Sequence, residues 1–196
     1  MADRRGFSLV EVLVSLVVLA VFAVALHQNE RALRRGVRVL EAAAEAQETA
    51  RLGAQLIAGD LRDAGFSADG RLGNGVRLAE AEAVALVRDL NGDGDSDDAN
   101  EAVGYRYAAD RRSLMRVLGA ASPQPLLNDV PAGGLRLSYL AVDGTPLAAG
   151  GGLDVGQRAR IRRVVVRVAV EIRHPDPAFS EPIRALEEMT VVLRNG

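Results

Sequence analysis

The feature that most constrains this chain is an unbroken apolar run near its start. Of the twenty residues from Phe7 to Leu26, only Ser8, Glu11 and Ser15 are polar. As a helix rising about 1.5 Å per residue, the run is about 30 Å long, the thickness of a bilayer's hydrocarbon core. One membrane span is therefore expected over residues 7–26. Arg4 and Arg5 stand before it and the next arginine is Arg31, so the positive-inside bias leaves residues 1–6 in the cytoplasm and sends the chain beyond His27 outward. Most of the chain is then an exported domain on one stalk.

Glu11 interrupts the apolar run. A carboxylate inside a membrane helix costs on the order of a few kcal/mol unless it is neutralised or paired, and such residues are functional candidates by default. The plain alternative is a side chain shallow enough to reach the interface. Its surroundings bear on the choice. Gly6 is followed at once by Phe7 and, four residues later, by Glu11, with arginines just before and the apolar helix just after. An ordinary secretory signal places its apolar region ahead of the cleavage site, the reverse of this order.

The arrangement resembles the class III signal of type IV prepilins and pseudopilins. The resemblance implies that a prepilin peptidase cuts after Gly6, removes residues 1–6 as a leader and methylates the new amino terminus on Phe7. It further implies that the Phe7 amine pairs with the Glu11 carboxylate of a neighbouring subunit. An α-amine is normally protonated near neutral pH. In a low-dielectric filament core each charge is costly alone, so their pairing offsets cost and sets subunit stagger.

Composition excludes several classes. The 196 residues allow a stalk and one domain of ordinary size, and a formal net charge of -2 argues against a nucleic-acid surface as the main business. All basic residues are arginine, from which no function follows. There is no cysteine, so an exported domain has no disulfide, no thiol nucleophile and no Cys-based metal site.

Beyond Leu26 the chain becomes polar while keeping a helical rhythm through Leu33, Val37, Leu40 and Ala44, then Leu52, Leu56 and Ile57. Glu30 and Arg34, and Glu48 and Arg51, are spaced to pair along one face. No proline occurs before Pro123. One helix is expected from Phe7 to Ala64, about 85 Å long, with residues 27–65 its amphipathic half and Gly65 a left-handed C-cap backed by Phe66. That half either packs on the C-terminal domain or forms a coiled-coil dimerisation stalk. Many major pilins carry a proline in or just past the apolar segment; its lack here makes local unwinding less expected.

Residues 66–196 read as a β-rich domain. Asp69-Gly70 and Asn74-Gly75 mark turns, and short strand-like runs lie at Ala83 to Val87, Val103 to Tyr107, Leu114 to Val117 and Leu135 to Tyr139. From Ile161 to Arg173, Val164, Val166, Val168, Val170 and Ile172 share one face, with Arg163, Arg167, Glu171 and Arg173 on the other, and Pro182 to Arg194 returns antiparallel. Gly119 to Pro131 and Asp143 to Gly156 read as connecting loops. The expected class is α+β: a long N-terminal helix on a mostly antiparallel sheet, the pilin-like architecture that the resemblance implies.

The one metal-like constellation is the acidic loop of residues 89–101. Asp89, Asn91, Asp93, Asp95 and Asp97 place oxygens at alternate positions, with Gly94 for the sharp turn, as in the opening of a calcium loop. Position twelve, a glutamate in an EF-hand, is Asn100; Glu101 comes one residue late, and the flanks read as strands. Calcium (Ca2+) held by these residues and a plain solvated turn are both compatible with the pattern. Catalysis finds little support, because His27 and His174 stand near no nucleophile motif and Asp60 and Asp63 look like exposed residues. The chain does not read as an enzyme.

Further stretches, Asp60 to Phe66, Glu101 to Tyr105 and Met189 to Asn195, resemble PilW-type minor pilins. The likeness implies a minor type IV pilin that primes pilus assembly or sits at the tip. Its partners would be other minor pilins, the major pilin and prepilin peptidase. It would reside in the inner membrane with its outer domain in the periplasm, then in a pilus or pseudopilus at the cell surface. A J-type minor pseudopilin of a type II secretion system shares these features. A membrane-anchored calcium-dependent binding module that never polymerises is the alternative from another class.

Overall fold

The computed structural model describes residues 9–68, 70–98, 100–147 and 151–195. Helix α1 runs without a break from Leu9 to Asp63, 55 residues, as a proline-free stretch of alanine, leucine, arginine and glutamate dictates. Between Leu9 and Glu45 no described side chain is buried. The helix contains a stretch near its start long and apolar enough to cross a membrane.

Burial begins at Ala46. Ala46, Ala50, Ala54, Ile57, Ala58 and Leu61 form a fully buried stripe that continues into Ala64. Small side chains at three- and four-residue steps let the helix axis approach the sheets closely. At Gly53 the approach is closer still: a Cβ there would stand 2.4 Å from Leu127 Cδ1. The helix stops at Gly65, whose φ of 73° is the left-handed C-cap conformation. A Cβ on Gly65 would also meet the Gly73 carbonyl oxygen at 2.1 Å, because the chain crosses itself there. Phe66 is exposed, so the apolar backing expected behind the cap is absent. Asn195 instead donates from Nδ2 to the Ala64 carbonyl at 3.0 Å, tying the chain's end to the helix end.

Where one sheet was expected, two form, both antiparallel. The first is a meander of β1 (Val76–Ala79), β2 (Ala83–Val87), β3 (Ala102–Ala108), β4 (Ser113–Leu118) and β5 (Gln124–Leu127) in chain order. The second has the order β7-β6-β8-β9, from β6 (Leu135–Leu140), β7 (Pro146–Leu147), β8 (Arg163–Ile172) and β9 (Ile183–Val192). A turn closed by the Gly134 N–H on the Pro131 carbonyl, 2.8 Å, lies between them. Strands β5 and β7 fall inside segments that read as loops, and both carry proline, which an edge strand tolerates. A short helix, α2 (Val155–Ala159), begins at the end of the second of these segments behind a capping box of Asp154 and Gln157.

The alternating valines of β8 do what their pattern requires. Val164, Val166, Val168 and Val170 are buried with Leu135, Leu137 and Tyr139 of β6, and α1 packs chiefly on β8 and β9. Burying a side chain such as Ile57 or Leu61 stabilises by about 1.5–3 kcal/mol, so the stripe is a firm seam. On the wet face Arg167 pairs with Glu188 at 2.5 Å, and Arg184 pairs with Glu171. Such exposed pairs are each worth about 0–1 kcal/mol.

Candidate functional site

Two regions carry polar groups that packing alone does not explain: the end of α1, and the acidic loop between β2 and β3. Gly6 and Phe7 lie outside the described residues. Glu11 lies in the first turn of α1 with its side chain exposed among apolar neighbours, and the Ser15 hydroxyl donates to its backbone carbonyl at 2.8 Å.

Asp60 is not the exposed residue its sequence implied. It is 8% exposed, sits between Ile57 and Ala64 on the packed face, and binds three partners from the first sheet. Arg88 Nη1 donates to Oδ1 at 3.1 Å and Arg116 Nη2 to Oδ2 at 2.9 Å, while the Tyr105 hydroxyl also donates to Oδ2. Burial first, then this bond to Asp60, pushes the Tyr105 phenol above its ordinary range. The Arg116 guanidinium lies 5.8 Å from the Tyr105 ring centroid, a cation–π distance. The hub binds the helix to β3, β4 and the end of β2. Its chemistry is that of a structural tie: the carboxylate is covered by two guanidinium groups and a phenol, with no room for a substrate. A signal for it existed in the sequence, since Asp60 lies three residues after Ile57 and four before Ala64, in phase with the apolar stripe.

The acidic loop is organised from its base. The Arg88 N–H donates to the Glu101 carbonyl at 2.9 Å, closing the hairpin, and the Arg88 guanidinium turns away to Asp60 and to the Asn100 carbonyl. Asp89 is buried, and its carboxylate accepts from the Gly92 and Gly94 N–H groups at 2.6 and 3.1 Å, curling the loop over itself. The alternating side chains then make successive Asx turns: Asn91 Oδ1 accepts from Asp93 N, Asp93 Oδ1 from Asp95 N, and Asp95 Oδ1 from Asp97 N. Asn91 Nδ2 bridges Asp93 and Asp98 at 2.8 and 2.7 Å.

This folding brings together only part of the expected ligand set. Asp93, Asp95 and Glu101 each place a carboxylate oxygen within 4.8 Å of the others, while Asp89 and Asp97 stand outside that triplet. Charge repulsion is visible at the rim. Asp98 is pushed above the ordinary carboxyl range, chiefly by the charge of Glu101, whereas the Asp95 backbone N–H and then Asn91 hold Asp93 below it. The late position of Glu101 has a structural reason: it immediately precedes β3 and is drawn inside by the hairpin closure, whereas Asn100 remains exposed.

Comparison with known proteins bears on the N-terminal motif and on the fold. The family model of the prokaryotic N-terminal methylation motif matches residues 1–26. A type IV-like pilin from Thermus thermophilus is similar in structure, with a TM-score of 0.52 and 16% identity over 76% of this chain and 95% of that one. At that identity the likeness speaks for the fold. No curated relative matches by sequence.

Proposed function

This chain is type IV pilin-like, with a prokaryotic methylation motif ahead of a pilin-like fold, and from that premise we propose that it is a minor type IV pilin. In this reading a prepilin peptidase removes residues 1–6 after Gly6. The inner membrane holds residues 7–26 with the β domain in the periplasm, and the subunit enters a pilus to prime its assembly or occupy its tip. The role is structural and non-enzymatic.

One observation carries the reading. The β domain covers only the end of α1, and among the described residues the preceding helix from Leu9 to Glu45 presents no buried side chain. The apolar side chains up to Leu26 have no water-compatible environment, so membrane before assembly and sister helices after it are the surroundings that satisfy them. Leu33, Val37 and Leu40 continue an exposed apolar stripe above the span, which sister stalks would cover. In such a bundle the new Phe7 amine of one subunit offers the Glu11 carboxylate of the next its counter-charge.

Replacing Glu11 with alanine tests the assignment. The variant is expected to insert in the membrane at least as well as wild type, since it lacks the intramembrane charge, and to be processed after Gly6. It is expected to lose incorporation into filaments and co-purification with other pilin subunits. Wild-type incorporation contradicts the pairing, and an unchanged mature mass when Gly6 is made bulky contradicts the cleavage. Deletion that abolishes secretion while leaving pili intact assigns the chain to a secretion pseudopilus instead.

A further inference from the structure

The loop of residues 89–101 contains two buried carboxylates that differ in what they bind. Asp89 divides its two oxygens between two backbone N–H groups. Glu101, 2% exposed, uses Oε1 to accept from the Leu90 and Asn91 N–H groups at 2.7 and 3.3 Å, while Oε2 is buried with no hydrogen-bond partner among the described residues. An unpaired buried carboxylate oxygen carries an uncompensated desolvation cost. The surroundings of Glu101 increase that cost, because Asp93 and Asp95 each bring a carboxylate oxygen within 4.8 Å of its carboxylate. Arg88, whose backbone binds Glu101, commits its guanidinium to Asp60 and Asn100. A carboxylate that belongs to an anionic triplet and keeps a buried oxygen unpaired calls for a cation supplied from outside.

We propose that Asp93, Asp95 and Glu101 form a calcium site, with the buried Glu101 as the anchoring ligand. Two oxygens held by one calcium at about 2.4 Å each are at most about 4.8 Å apart, and the triplet meets that limit. The donors are all oxygen, with no histidine or cysteine among them, which favours a hard cation over zinc or copper. Calcium accepts six to eight oxygens in irregular geometry, completed here by neighbouring loop groups and water, whereas magnesium demands a near-ideal octahedron. The ion would join the exposed loop to the residue just before β3, ordering a hairpin that has no disulfide to do so. The site is independent of the filament role proposed above.

The test uses the full chain in detergent micelles, titrated with calcium chloride after chelator treatment, read by calorimetry and by thermal unfolding. One calcium per chain is expected, with Kd in the range of about 10⁻⁴ to 10⁻³ M typical of extracellular modules, and a melting temperature that climbs as calcium passes that range. Asp93→Asn combined with Asp95→Asn is expected to weaken binding at least tenfold while leaving the melting temperature in chelator unchanged, because both positions are exposed. Glu101→Gln retains a carbonyl acceptor for Leu90 and Asn91 and removes the buried charge, so it should melt no lower than wild type in chelator and gain nothing from calcium. A wild type unresponsive to calcium tenfold above that range overturns the site. A calcium response that survives in both variants overturns it equally.

Discussion

Residues 9–45 and 46–63 belong to one continuous helix, yet they meet opposite surroundings. The lower part is apolar on every side as far as Leu26, and each large apolar side chain from Leu9 to Leu26 is exposed in the isolated chain. The upper part is apolar on one face only, and that face is mostly alanine, buried against the sheets. An all-round apolar helix needs a nonpolar solvent, while a one-sided stripe of small residues needs a surface to lie on. The two carboxylates follow the same division. Glu11 is exposed among apolar neighbours in the lower part; Asp60, in the upper part, is covered by two arginines and a tyrosine. The helix is thus half anchor and half core element, and its two halves should fail in different assays.

The sharpest contrast is between acidic residues. Asp60→Ala leaves Arg116 partly buried without its counter-charge and Arg88 with only the exposed Asp63, 3.8 Å away, a loss of about 3–5 kcal/mol, or about 6–20 °C in the melting temperature of a chain this size. Glu30→Ala removes only an exposed partner of Arg34, bonded at 2.5 Å, and should change stability by about 0.3–0.5 kcal/mol. Thermal unfolding of both variants in detergent checks the pair, and equal effects would erase the distinction between halves.

A smaller contrast comes from one substitution made twice. Ala54→Leu inserts bulk into a fully buried seam and should destabilise by about 1–3 kcal/mol. Ala20→Leu, on the exposed lower helix, should leave the melting temperature unchanged. Chemical denaturation of each variant decides it, and a stable Ala54→Leu protein would mean the seam is looser than its burial implies. A similarly small effect on stability is expected from Leu33→Ser combined with Val37→Ser, within about 0.5 kcal/mol because both residues are exposed. Reduced co-purification with other pilin subunits is the accompanying outcome if, as proposed, this exposed stripe packs on sister stalks.

Much of this was legible along the chain. The extent of α1, its stop at Gly65, the inward valines of β8 and the return of β9 all follow from periods of 3.6 and 2 and from one glycine, signals carried by near neighbours. Strands β5 and β7 escaped because each is short and proline-bearing, so pairing with β4 and β6 and not local propensity makes them strands. The separation into two sheets escaped for the same reason, since a strand's partners are chosen across the fold.

The N-terminal methylation motif was likewise complete in sequence, because it lies in one continuous stretch. The acidic loop was visible as a pattern of alternating oxygens, of which Asp93 and Asp95 come together with Glu101 while Asp89 and Asp97 stand outside that group. What tertiary structure alone decided was which carboxylates are inside. Asp60 is buried because Arg88, Tyr105 and Arg116, 28 to 56 residues away, converge on it. Glu101, a residue late for an EF-hand, is buried because closure of the β2–β3 hairpin draws it inward with one oxygen unpaired. Burial of a charge depends on groups distant in sequence that approach only when the chain has folded, and no local period encodes their arrival.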